Sequence, residues 1–263
     1  MHRRSLVALL TGVSVSGLAL AGVPTATAAP PTAHLVHVHV FKAADAKGGG
    51  GKGGPPAPTT ANCSPAGPTG NEYSTTGYGT AQQSVRFVTA GIPAVKTATN
   101  PANGPQGNAS TSAISTAMQN SFTAWTNANH GAPTMTVQLD NASTQTRQQA
   151  DHTDQLLFGR TSGSIATTYT WLWTDGFIEH DVVFNSKLGW AVIPDTDSSA
   201  GGCYPNWPLY DVANIATHEF GHVYGLSHAS SDRFATMYTY GYTGETLKRS
   251  PGNGDTAGIN ALY

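Results

Sequence analysis

Across residues 112–127, Ile114, Ala117, Met118, Phe122 and Trp125 recur with the 3.6-residue period of a helix, with Ser and Thr available to cap its start. This predicts an amphipathic helix whose apolar stripe, Met118 included, faces a core. Further helices are expected over 211–224 and, more briefly, over 255–262. Segments rich in β-branched and aromatic residues predict strands at 84–88, 134–139, 155–159, 165–173 and 177–185, with turn residues between them, and 100–108 reads as a loop. Strands with one helix among them, followed by two C-terminal helices, predict an α+β domain with a mixed sheet.

The first 62 residues have a different pattern. Arg3 and Arg4 precede a mainly apolar stretch over 6–23, and Ala26 and Ala28 have the spacing a signal peptidase accepts. Residues 1–28 therefore read as an export signal cut after Ala28, and the arginine pair leaves both export routes open. No later segment is apolar enough to span a bilayer. Residues 29–62 read as a flexible leader or linker, or a short propeptide: after Phe41 core-forming residues are scarce and 47–54 is nearly all glycine. His34, His37 and His39 lie there among apolar residues and could form a short strand or bind a metal weakly, but the flexible reading is favoured. The remaining segment, 63–263, is long enough for one domain with a sizeable core.

Charged residues make up only 11% of the chain, against about 25% in ordinary globular proteins, which suits an extracellular surface. Of 13 Lys and Arg, five precede residue 63, as does one of 15 Asp and Glu, leaving eight against 14 in the domain. Such a balance offers no basic footprint for nucleic acid. Cys63 and Cys203 in an exported chain are most simply a disulfide, contributing up to about 5 kcal/mol. The alternative is Cys63 as a zinc ligand, with Cys203 left as a thiol.

The densest chemistry is the run His218-Glu219-Phe220-Gly221-His222-Val223-Tyr224-Gly225-Leu226-Ser227-His228. Residues four apart share a helix face, so His218 and His222 can present ring nitrogens to one metal ion. Gly225 can adopt the left-handed backbone that ends a helix, letting the chain turn back to bring in His228. Three imidazoles with a fourth position left for water fit a catalytic zinc. Structural zinc is usually closed by four protein ligands, often including Cys. Glu219 then stands where a general base would take a proton from that water and pass it to a leaving amine. Its alternative role is to orient a ligand by a hydrogen bond.

Nine positions after His228 comes Met237, and this pairing resembles the metzincin clan of zinc endopeptidases, most closely the matrixin branch in a compact secreted bacterial form. Four further segments carry the resemblance in order: Ile165-Ala166-Thr167-Thr168; Asp181-Val182-Val183-Phe184-Asn185 with Trp190; Met237-Tyr238; and the nine residues from Asp255 to Tyr263. It implies a twisted, mostly parallel sheet with a backing helix, an active-site helix and a C-terminal helix. It also implies that Met237 forms a hydrophobic floor beneath one catalytic zinc, although a plain buried Met would look the same. Ile165, Ala166 and Thr167 are implied to lie on the edge strand that pairs with an extended polypeptide substrate. Asn214, Tyr238 and Tyr240 are implied to line a specificity pocket, with ordinary packing or surface roles as the alternative.

The departures are informative. Ala229 follows the third histidine where better-known branches carry a polar or acidic residue, and Thr239 replaces the switching tyrosine of astacin-like relatives. Thr167 and Val183 occupy positions of a second, structural zinc, so one zinc is expected. The latency motif of animal matrixins is missing. Asp195 and Asp197, in 195–199, could hold calcium or form a solvated turn. The expectation is a secreted, extracellular, monomeric zinc endopeptidase with no nucleic-acid partner and no membrane association after signal removal. A zinc amidase acting on a cell-wall amide and a non-catalytic zinc-bearing peptide binder are the alternatives.

Overall fold

The computed structural model describes residues 29–44, 71–194 and 202–263. In chain order the strands are β1 (Ala33–Ala43), β2 (Ser84–Val88), β3 (Val95–Thr97), β4 (Gly107–Asn108), β5 (Thr136–Asp140), β6 (Gln155–Gly159), β7 (Ser164–Trp173), β8 (Ile178–Asn185), β9 (Trp190–Ala191), β10 (Tyr210–Asp211) and β11 (Tyr240–Gly241). The helices are α1 (Thr111–Ala128), α2 (Val212–Val223) and α3 (Asn253–Leu262). No helix among the described residues is long and apolar enough to cross a membrane.

Seven strands form the main sheet in the order β11-β1-β7-β8-β6-β2-β5. β5, β2, β6 and β8 run parallel, β7 is antiparallel to β8, and β1 is antiparallel to β7 and parallel to β11. A smaller sheet, β10-β9-β3-β4, adjoins the start of α2. The five expected strands and three expected helices are all present, within about two residues of their predicted ends.

One segment departs from the sequence reading. The part of the leader from Ala33 to Ala43 is an eleven-residue strand with nine register partners along β7. A short strand is the less favoured reading of this stretch, and its pairing with residues about 130 positions away is what selects it over the flexible one.

The apolar stripe of α1 packs as its period predicts. Ile114, Met118, Phe122 and Trp125 are buried, the Phe122 ring stacks on Phe220 of α2 at 3.7 Å, and the Trp125 indole donates to the Thr217 carbonyl at 2.8 Å. α1 therefore clamps the helix that carries the first two histidines.

Three buried carboxylates tie the loop after β5 to the sheet. Glu179 accepts from the backbone N–H groups of Asp151 and His152 and from the Trp173 indole, while Asp181 accepts from Gln149 N–H at 2.9 Å. Asp154 accepts from His180 N–H at 2.8 Å. Burial, reinforced by the Glu179 charge, pushes the carboxyl of Asp154 up to about 8 and that of Asp181 up to about 9. In the unfolded chain each titrates near 4. An acid whose folded pKa is raised binds its proton more tightly when folded. The stability it contributes is complete below about pH 4 and is lost as pH rises through 8 to 9. Asp181→Asn, which mimics the protonated form, is expected to flatten this decline and to stabilise the fold at pH 8.5 by about 2 kcal/mol or more, read from urea midpoints at several pH values.

Candidate metal centre

α2 starts where the sequence provides a cap: Asp211 accepts from Asn214 N–H at 2.8 Å, satisfying one of the helix's unpaired donors. The helix stops where Gly225 adopts φ +90°, a conformation strained for any residue with a Cβ. Gly225 N–H bonds the His222 carbonyl and Leu226 N–H bonds the Gly221 carbonyl, both at 2.9 Å, which is the Schellman pattern of helix ends. The chain then turns back. Ala229 N–H bonds the Met237 carbonyl at 2.9 Å, fixing the segment that carries His228.

The three expected histidines come together. Ring centroids of His218 and His222 are 5.0 Å apart, those of His222 and His228 are 4.7 Å apart, and those of His218 and His228 are 5.2 Å apart. His218 Nδ1 bonds the Thr236 carbonyl at 2.7 Å and His222 Nδ1 bonds the Leu226 carbonyl at 2.8 Å. A carbonyl only accepts, so each Nδ1 carries the proton and each Nε2 keeps its lone pair for a metal. Burial holds both rings well below the usual histidine pKa, and burial together with Lys42 brings His228 to about 4, so all three are neutral donors near pH 7.

Zinc fits this arrangement. Nitrogens bound tetrahedrally at 2.0–2.1 Å stand about 3.3 Å apart. His222 Nε2 and His228 Nε2 are 3.3 Å apart, and His218 Nε2 is buried without a hydrogen-bond partner. A fourth imidazole is also present. His39 of β1 stacks on His222 at 4.0 Å, and the donor atoms of His39, His222 and His228 all lie within 4.8 Å of one another.

Glu219 is buried beside these rings. One carboxylate oxygen accepts the Thr168 hydroxyl at 2.5 Å and the other has no partner. Burial raises its pKa to about 8, against the opposing effect of the Thr168 bond. In the sequence Thr168 stands only as the last residue of the segment that resembles a substrate-pairing edge strand. Its role in aiming Glu219 depends on a contact across 51 residues and carries no local signal.

Met237 is buried, and its sulfur presses on the backbone of Gly221, where a Cβ would come within 2.2 Å. The Asp255 carboxylate accepts from Thr236 and Met237 N–H, at 2.8 and 3.1 Å, and so anchors the turn whose Thr236 carbonyl aligns His218. The sequence marked Asp255 only as the start of a matching segment. Asp255→Asn removes one acceptor and is expected to weaken zinc binding by about 10-fold or more with the fold intact, measured by chelator competition and near-ultraviolet circular dichroism.

Other expectations need correction. The edge at Ile165, Ala166 and Thr167 is not open: all three residues are buried, and Ala166 and Thr167 pair with Phe41 and Val40 of β1. Asn214 does not face a pocket. It is fully buried, donating to Glu245 at 3.2 Å and accepting from Lys248 N–H at 2.7 Å, and so braces the segment that follows β11. Tyr238 is buried with its ring 5.7 Å from that of Tyr240, which pairs with Lys42 of β1. Cys203 is buried, whereas Cys63 and the candidate calcium segment 195–199 lie outside the described residues. A cavity of about 590 Å³ beside α1, lined by Ala117, Ala213 and Arg249 among others, includes none of the four histidines.

The sequence profile of the matrixin family matches residues 100–263, which includes all of the motif from His218 to Met237. A comparison with curated proteins finds no match. The match covers well over half of the chain and agrees with the mixed sheet, the helix bearing two histidines and the turn at Met237, so the chain belongs to the matrixin family of zinc metalloendopeptidases.

Proposed function

We propose that the protein is a secreted endopeptidase that hydrolyses internal bonds of extended polypeptides, with His218, His222 and His228 holding the zinc and Glu219 as general base and then general acid. One observation carries this reading: the unpartnered oxygen of Glu219 is buried in the same cluster as neutral imidazoles whose spacing suits zinc. When bound, zinc supplies a Lewis acid that acidifies a water and polarises the scissile carbonyl. Glu219, aimed by Thr168, takes the water's proton and delivers it to the leaving amine. β7, covered here by β1, is the strand to which a substrate backbone would add once β1 leaves that edge. Export is supported by the arginine pair, the apolar stretch and the small residues before position 29. A Cys63–Cys203 bridge would suit the same compartment.

The test is digestion of an unfolded protein by the zinc-loaded chain as it accumulates in the growth medium, with fragments mapped by mass spectrometry. Zinc-dependent cuts at internal bonds are expected. Zinc-loaded material that leaves every polypeptide intact but opens a cell-wall amide would move the assignment to the amidase reading.

A further inference from the structure

The segment expected to be a loose leader lies on the substrate edge of the sheet. β1 is inserted between β7 and β11, with Lys42 N–H bonded to the Thr239 carbonyl and Ala44 N–H bonded to the Gly241 carbonyl, both at 3.0 Å. Its register places His39 opposite Thr168, the residue whose hydroxyl holds Glu219. Directly opposed residues point to the same face, so His39 enters the metal cluster beside the base. Two residues on, Phe41 is fully buried, stacks on His218 at 3.7 Å and fills a niche formed by Gly241 and Ile165.

The alternate side chains point outward: Val38 and Val40 are 46% and 36% exposed. Among the eleven residues of β1 only Phe41 is buried, so the strand is held by backbone pairing and two inward rings, as a bound peptide would be. A strand that belonged to the core would bury a whole face.

We propose that residues 33–43 are a built-in inhibitor, in which β1 occupies the peptide-binding edge of β7 and His39 binds the zinc as a fourth imidazole in place of the catalytic water. The inference rests on the zinc endopeptidase reading and adds to it how the enzyme is kept latent without a cysteine. Being covalently attached, the strand competes with substrate at an effective concentration in the millimolar range, at or above ordinary KM values.

Zinc-edge X-ray absorption on the zinc-loaded full chain and on its His39→Ala variant tests the assignment, alongside the initial rate of cleavage of an unfolded protein. Four imidazoles are expected in the wild type. In His39→Ala, three imidazoles and one oxygen are expected, with a rate about tenfold or more higher. His34→Ala, at an exposed position of the same strand, should leave both readouts unchanged. Zinc bound with identical coordination in wild type and His39→Ala, both natively folded by circular dichroism, would overturn the proposal. A His39→Ala chain that shows the loss of one imidazole yet cuts no polypeptide would uphold the fourth ligand and remove the endopeptidase reading instead.

Discussion

Glu219→Gln is expected to slow polypeptide cleavage by about 10²–10⁴-fold while the zinc content stays that of the wild type. The amide keeps the size of the carboxyl and can still accept the Thr168 hydroxyl, so the buried cluster is not emptied. What it loses is the capacity to hold a proton, and Glu219 is the only carboxylate within the motif from His218 to His228. The comparison is made on the form recovered from the medium, with zinc measured by metal analysis on the samples assayed. Equal rates at equal zinc would remove Glu219 from the chemistry and leave it an orienting role.

Asp211→Ala is expected to destabilise the fold by roughly 3–5 kcal/mol, seen as a fall in melting temperature of roughly 10 °C. Its fully buried carboxylate caps α2, accepts from Ile193 N–H at 3.1 Å and takes two bonds from the Arg249 guanidinium at 2.8 Å. Truncation removes the cap, orphans a buried N–H and takes two charge-assisted bonds from a guanidinium that is only 16% exposed. Because Asp211 starts the helix that carries His218 and His222, zinc affinity should fall along with stability. Thermal melts with and without added zinc check both effects. A shift within 1 °C would show that Arg249 and Ile193 find other partners.

The two predictions fall on opposite sides of what the sequence made legible. Glu219 could be named from the sequence because its neighbours are encoded within one helix and one turn. The i, i+4 spacing of His218 and His222 and the stop at Gly225 are local geometry, and the structure reproduces both. The importance of Asp211 could not be read in the same way. As a helix cap it is ordinary, and its larger role depends on Arg249, 38 positions on. The same distance in sequence hid Thr168 behind Glu219 and Asp255 behind Met237. For Asn214 the pocket role implied by the resemblance gives way to the packing alternative, because the Glu245 and Lys248 side of the fold, more than 30 positions on, decides that it is buried.

The sequence by itself determined the five longer strands among residues 84–185, the three helices, and the spacing that brings the candidate ligands and Glu219 onto one helix and turn, because periodicity, capping and ligand spacing are short-range properties of the chain. The tertiary structure alone decided what lies across the site. Residues 33–43 carry Leu35, Val36, Val38, Val40 and Phe41 among their histidines, a pattern open to either a strand or a flexible leader, and the edge of β7 that β8 does not cover, with niches for one imidazole and one phenyl ring, gives them a place. Strand pairing is a free energy shared between distant segments, and it is not written in either one alone.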